Sequence, residues 1–192
     1  MFGATGRSGR LVVEEALARG HTVTAYVRNR ERLAAASPLE VVEGSVHDAA
    51  TIAGALVDVG AVISALGPIA GETTTEISTG TRTIAETMER AGPRRLVLAG
   101  NATVFTDDEV TGAFANVTAE HRRDLSILRS GSLDWTMLAP AILRDEPVTG
   151  ASDATRDAPA PGRSIARTDL ARVMVDAVDR ADWFGHVVGV SS

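Results

Sequence analysis

Short apolar runs rich in β-branched residues alternate along this chain with stretches whose apolar positions recur every three or four residues. A glycine-rich turn, Gly3 to Gly9, opens the sequence. A helix follows from Gly9 to Arg19, with Val13, Ala16 and Leu17 on one face and Gly20 as its stop. His21 to Val27 reads as a strand closed by Arg28-Asn29-Arg30, Glu31 to Ala36 as a short helix, and Leu39 to Glu43 as a strand ending at Gly44. Asp48 to Leu56 is expected to be helical, Ala61 to Leu66 a buried strand ending at Gly67-Pro68, and residues 76–91 a helix. Arg95 to Ala99 and Leu133 to Ala139 are further buried strands, separated by a helix from Asn116 to Arg129; Pro140 stops the second strand. A last helix is expected from Thr168, read as its N-cap, because Leu170, Val173, Met174, Ala177 and Val178 keep a helical period. His186 to Val190 closes the chain as a strand. Between them, Ala141 to Arg163 is rich in Pro, Gly, Ala, Ser, Thr and Asp without sustained period, and reads as a surface loop or flap.

Strand–helix alternation with strands apolar on both faces predicts a parallel sheet covered by helices, an α/β doubly wound fold of the Rossmann type in one domain spanning residues 1–192. Only Met1 and Phe2 precede the glycine turn, where a buried central strand belongs. Losing about five buried residues at ~1.5–3 kcal/mol each costs on the order of 10 kcal/mol, comparable to the stability of a whole domain. The expectation is that the native chain carries several more apolar residues upstream.

Composition narrows the chemistry. All 19 basic residues are Arg; Lys and Cys are absent, and Tyr26 is the single Tyr. A Schiff base, a P-loop lysine, a thiol nucleophile and a Tyr-x-x-x-Lys proton donor are therefore excluded, and no metal-ligand spacing is found. A net charge of −6 argues against a nucleic-acid partner, which needs a clustered basic face. No apolar window is long enough for a membrane span and no signal-peptide order stands at the amino end, so cytoplasm is the default address and no membrane partner is expected. Oligomeric state is unreadable.

Gly3-Ala4-Thr5-Gly6-Arg7-Ser8-Gly9 lets the backbone approach a pyrophosphate while the following helix points free N–H groups at it. The strand ending at Val27 places Arg28 where an acidic residue selects the ribose 2′-hydroxyl of NAD. A guanidinium there offers a planar fork to a 2′-phosphate, which predicts NADP(H), with Asn29 and Arg30 nearby.

Gly-Ala-Thr-Gly-x-x-Gly with Val27-Arg28-Asn29, the Val62 to Gly67 run, and Leu133 to Pro140 resemble the atypical short-chain dehydrogenase/reductases of the NmrA-like, NAD(P)H-binding group. Pro147-Val148-Thr149-Gly150, the Ile165 to Leu170 approach to the last helix, and Gly185-His186 are most similar to the flavin reductase/biliverdin-IXβ reductase type. The resemblance covers essentially the whole chain. It implies NADPH-dependent hydride transfer to a small planar conjugated acceptor such as a flavin, quinone or tetrapyrrole. It also implies cofactor contacts from Gly3, Thr5, Gly6, Arg7, Ser8, Gly9 and Arg28, from Ser45 and Val46 on the adenine side, and from Leu66 and Gly67. Ala99, Asn101, Pro140, Ala141 and Ile142 are implied around the nicotinamide. Three positions depart from the family: Ser45 replaces Asp, Asn101 replaces Ser, and Ala141 replaces His.

His121 shares a helical face with Val117, Leu125 and Leu128, and the family places a His near the active site at this position. It is either a buried, satisfied histidine or a proton relay. Asn101 is either a donor to carboxamide or acceptor, or a strand-end turn residue. Thr73-Thr74-Thr75 is expected to cap a helix, Trp135 and Trp183 to pack, Asp107-Asp108-Glu109 to form a solvated loop, and His47-Asp48 a turn and cap. The segment 141–163 is expected to shape the acceptor pocket. A catalytically silent NADP(H)-binding sensor fits the same residues, as does a biosynthetic reductase with a dedicated substrate.

Overall fold

The computed structural model describes residues 1–33, 38–67, 74–106, 109–147 and 149–192. Its strands are β1 (Val23–Val27), β2 (Leu39–Glu43), β3 (Ala61–Ser64), β4 (Arg95–Ala99), β5 (Asp134–Pro140), β6 (Ile142–Arg144), β7 (Asp153–Arg156), β8 (Ser164–Ala166) and β9 (His186–Ser191). The helices are α1 (Arg7–Ala18), α2 (Ala49–Ala55), α3 (Glu76–Ala91), α4 (Ala115–Ser130) and α5 (Arg167–Asp176). The expected short helix to Ala36 lies partly outside the described residues, as do Pro68, Thr73, Asp107, Asp108 and Val148.

β1 pairs with β2, and β3, β4, β5 and β9 pair in that order, all parallel; β7 adds an antiparallel edge on β9. Phe2 joins the two sets through bridges to Tyr26 and Ser64. Its N–H donates to the Ile63 carbonyl at 2.9 Å and its carbonyl accepts from Ala65 N–H at 3.0 Å. On the other side, Met1 accepts from Tyr26 N–H at 2.9 Å and donates to the Thr24 carbonyl at 2.7 Å. The sequence of strands across the sheet is thus β2, β1, Met1-Phe2, β3, β4, β5, β9, β7. Strand order reverses at Phe2, the switch point where a doubly wound sheet opens its ligand crevice.

Each face of the sheet has its own core. α1 and α5 cover one, where Val12, Val13, Leu170, Met174 and Val188 meet. α2, α3 and α4 cover the other, with Phe2, Ile52, Ile84, Met88 and Leu128. Trp135 and Trp183 are buried packing residues, as expected. Arg95 is an unexpected buried cation at the base of β4. Burial pulls its pKa down to about 10, and its guanidinium donates to the carbonyls of Val178, Ala177 and Asp134 and to the Thr136 hydroxyl.

Several expected boundaries move. α1 starts at Arg7 rather than Gly9, β1 at Val23 rather than His21, and β3 ends at Ser64 rather than Leu66. α5 is not capped by Thr168. Pairing of β8 with β6 holds Ala166 extended, so the helix begins directly at Arg167 and the buried Thr168 hydroxyl has no partner. The segment 141–163 is not structureless either, because β6 and β7 lie in it. Their hydrogen-bond partners come from β8 and β9, and their residues alternate little in hydrophobicity because they sit at sheet edges.

Met174 is fully buried whereas Val57 is 69% exposed. Met174→Ala is expected to lower unfolding free energy by about 2–5 kcal/mol and Val57→Ala by less than about 0.5 kcal/mol, measured by urea denaturation.

Candidate functional site

Three glycines shape the turn that leaves Phe2. Gly3 has φ +75°, and a Cβ there would stand 2.4 Å from the Ala65 carbonyl oxygen; a Cβ on Gly9 would stand 2.0 Å from the Gly3 carbonyl oxygen. Only hydrogen fits at either place, so the turn lies against both the end of β3 and the first turn of α1. Gly6 N–H donates to the Gly3 carbonyl at 3.0 Å, and Gly6 occupies the N-cap of α1 without offering a side chain. The N–H groups at the start of α1, on Arg7, Ser8 and Gly9, therefore have no side-chain cap among the described residues. They form with the helix dipole a cradle suited to an anion.

A salt-bridge cluster that the sequence reading missed flanks the cradle. The Asp145 carboxylate, just past β6, pairs with Arg7 and, at 2.7 Å, with Arg167 at the start of α5. Burial and the neighbouring Arg7 charge hold the Arg167 pKa below its ordinary value.

Arg28 lies at the carboxyl end of β1, exposed and without a partner among the described residues. The turn after it is fixed: Asn29 Oδ1 accepts from Glu31 N–H at 2.8 Å, and Arg30 N–H donates to Glu43 at 2.9 Å. Ser45 spends its groups locally, its carbonyl accepting from the Tyr26 hydroxyl at 2.9 Å and its hydroxyl from His47 N–H at 3.2 Å. Val46 and Leu66 both pack closely on Gly80 of α3, where a Cβ would come within 3.1 Å and 3.2 Å of them, so the two side chains meet over one point of that helix. His47 and Asp48 take the expected structural roles. Asp48 accepts from Ala50 and Thr51 N–H at the start of α2, and His47 faces Glu76 at 3.1 Å. Of the threonines before α3, Thr75 occupies the N-cap without a side-chain bond, and the Thr74 hydroxyl reaches Glu76 N–H at 3.5 Å.

Ala99, Pro140 and Ala141 come together at the carboxyl ends of β4 and β5. Gly100 N–H donates to the Leu138 carbonyl at 2.8 Å and Ala141 N–H to the Val190 carbonyl at 3.0 Å. Asn101 accepts from the Thr103 hydroxyl, which lies 2.9 Å from the Thr118 hydroxyl, so a polar chain runs from β4 to α4. One turn further along α4, the buried His121 places Nδ1 3.1 Å from the Asp124 carboxylate, whose other oxygen has no partner. With that acceptor, the Nδ1 tautomer carries the proton. Ile142 and Phe114, the latter missed in the sequence, stand exposed at 69% and 67% on the same carboxyl edge.

Two buried carboxylates brace this edge, and neither stood out in the sequence because each sits in a helix that reads as amphipathic. Glu120 accepts from Ser78 N–H at 2.8 Å and Ser78 Oγ at 3.0 Å and pairs with Arg123, tying α4 to α3. Asp169 accepts from Thr149 N–H at 3.1 Å, Thr149 Oγ1 at 2.7 Å and Gly150 N–H at 3.2 Å. Among the described residues no helix is long and apolar enough to cross a membrane, and no group of three His, Asp or Glu side chains is placed to hold a metal ion.

The NAD(P)H-binding family profile matches residues 3–181. An uncharacterized protein of Bacillus subtilis, YwnB, is 27% identical over 158 residues, covering 76% of this chain and 72% of that protein. Among solved structures, the oxidoreductase ylbE from Lactococcus lactis aligns with a TM-score of 0.86 at 22% identity, over 99% of this chain and 88% of its own. The anaerobillin reductase ChuY from Escherichia coli O157:H7 aligns with a TM-score of 0.84 at 24% identity, over 99% and 94%. These two likenesses establish the Rossmann-like fold.

Burial raises the Asp169 pKa, but the bonds from Thr149 and Gly150 and the charge of Arg172 outweigh it and hold the carboxyl below its ordinary value. A pKa lower in the folded than in the unfolded chain stabilises above the ordinary Asp range, about 3.9, and the contribution disappears as pH falls through the folded value. Asp169→Asn is expected to cost about 1.5–3 kcal/mol at neutral pH and to open residues 149–151 to proteolysis, whereas the unaltered chain opens there only in acid.

Proposed function

Because the chain belongs to this NAD(P)H-binding family, we propose that it is an NADPH-dependent reductase. In this reading it delivers hydride to a small planar conjugated acceptor of the flavin, quinone or tetrapyrrole class. Arg28 carries the cofactor choice. Its guanidinium is exposed and unpaired among the described residues, on a fixed turn at the end of β1, and a fork of donors binds a ribose 2′-phosphate where a carboxylate repels it. The glycine cradle and the uncapped start of α1 fit the pyrophosphate, and Val46 and Leu66, brought together over Gly80, would lie on the adenine side. When bound, the dihydronicotinamide would supply the hydride, with Ala99, Asn101, Pro140, Ala141 and Ile142 the residues that would hold its ring.

The acceptor class follows from the proton inventory. With no Lys in the chain and the Tyr26 hydroxyl committed to Ser45 inside the core, no tyrosinate-type donor serves a localised alkoxide. A conjugated acceptor spreads the incoming charge and takes its proton from water or from a nearby relay. The pair of His121 and Asp124 is that relay in this reading, with Asn101 orienting a carboxamide or acceptor carbonyl. Exposed Ile142 and Phe114 offer apolar surface to a flat ring. The likeness to an anaerobillin reductase supports the tetrapyrrole member of the class.

Arg28→Asp is expected to weaken NADPH binding about 10- to 100-fold while leaving NADH binding nearly unchanged, by fluorescence titration; equal losses contradict the assignment. NADPH oxidation is expected with at least one of FMN, riboflavin, quinones and biliverdin. Tight binding with no turnover across that panel makes the protein a cofactor sensor instead. His121→Asn keeps a donor toward Asp124 but cannot hand a proton on through a ring, so it is expected to slow turnover by ~10²-fold while leaving NADPH binding unchanged; unchanged turnover removes the relay.

A further inference from the structure

The backbone past the end of β4 is pinned on both sides of Asn101. Gly100 N–H donates to the Leu138 carbonyl at 2.8 Å, and a Cβ on Gly100 would stand 3.0 Å from the Met137 side chain, so the chain stays tight against β5. Asn101 is extended, with φ −147° and ψ 163°, and its carbonyl accepts from Val104 N–H at 3.3 Å in the single turn Ala102–Phe105. Thr103 of that turn and the buried Thr118 of α4 complete a chain of three polar side chains.

The chain can run in only two directions, because each threonine hydroxyl has one proton to give. In the first, Thr118 donates to Thr103 and Thr103 donates to Asn101 Oδ1, so both protons find an acceptor. In the second, the Asn101 amide is turned over and donates to Thr103, and Thr103 donates to Thr118. The Thr118 proton then has no acceptor among the described residues. Thr118 is 1% exposed, and a buried donor left without a partner loses more than a hydrogen bond gains. The first direction wins.

In that direction Oδ1 is committed to Thr103 and Nδ2 faces away from it. Nδ2 has no partner among the described residues and is not one of the atoms sealed in the core without a bond, so its two N–H groups open at the carboxyl end of β4. Ala99, Pro140, Ala141 and Ile142 at the same edge have hydrocarbon side chains. Of these five residues, Asn101 alone sets the polarity of the edge, and the two threonines set the polarity of Asn101.

We propose that Thr103 and Thr118 are positioning residues that fix Asn101 as a hydrogen-bond donor, so that this edge selects acceptors presenting a lone pair to it: a conjugated carbonyl oxygen or an unprotonated ring nitrogen. The inference rests on the reductase reading above. Negative charge that reduction places on such an atom meets two N–H groups already aimed at it, which is where a preorganised donor has its largest effect.

The first arm of the test needs no acceptor. In NMR spectra of the protein alone, the Asn101 amide protons are expected to exchange rapidly with water and to show no strong NOE to the Thr103 β proton; a strong NOE marks the second direction and overturns the proposal. The second arm uses FMN, riboflavin, quinones and biliverdin. Thr103→Val is expected to lower kcat about 10-fold while the Kd for NADPH moves less than about 2-fold, and Thr103→Ser to restore the rate. Asn101→Asp offers lone pairs in place of N–H groups and is expected to lower kcat by ~10²-fold or more. Equal losses in Thr103→Ser and Thr103→Val mean packing alone, and full turnover in Asn101→Asp means no donor is used; either result overturns the proposal. If the unaltered chain reduces nothing in the panel, the reductase reading fails, and the amide protons by themselves decide the direction of the chain.

Discussion

Met1 and Phe2 together make four backbone hydrogen bonds, two to β1, one to Ile63 of β3 and one to Ala65 just past it, and among the described residues these join the halves of the sheet. Phe2 is also buried against Tyr26, ring centroids 5.1 Å apart, so the same residue fixes the core beneath α2 and α3. The glycine turn departs from this point, and its contact with Ala65 depends on β3 being held at the correct distance. The position of the anion cradle therefore depends on the bonds that Met1 and Phe2 make to either side. A disturbance at Phe2 reaches the site and the core at once.

Much of this architecture is legible in the chain because fully buried parallel strands leave continuous apolar runs. Arg95–Ala99 has the expected bounds for that reason, and the helix at 76–91 has them because its apolar residues keep a helical period. Residues 142–144 and 153–156 escape notice because their pairing partners come from β8 and β9, and the side chains of edge strands need no alternation. Thr168 misleads because a cap signal is local, whereas the start of α5 is set by the pairing of β8.

The candidate site divides the same way. Cradle residues are visible because backbone geometry demands glycine there, and Arg28 is visible because it follows a strand. Glu120, Asp169 and Asp145 are not, since an acidic residue in a helix or loop reads as solvated until its partners are known. Their partners come from Ser78, Thr149 and Arg167, brought near only by the packing of α3, α4 and α5. His121 lies between these cases. Periodicity turns it inward, but only the fold shows that Asp124 is the group it faces.

The salt bridge from Asp145 to Arg7 and Arg167 also bears on how an anion reaches the cradle. Arg7 is not a bare cation waiting at the turn; its charge is already shared with a carboxylate on the segment following β6. A phosphate that takes Arg7 therefore competes with Asp145 for it, while the bridge from Asp145 to Arg167 still ties the segment after β6 to the start of α5.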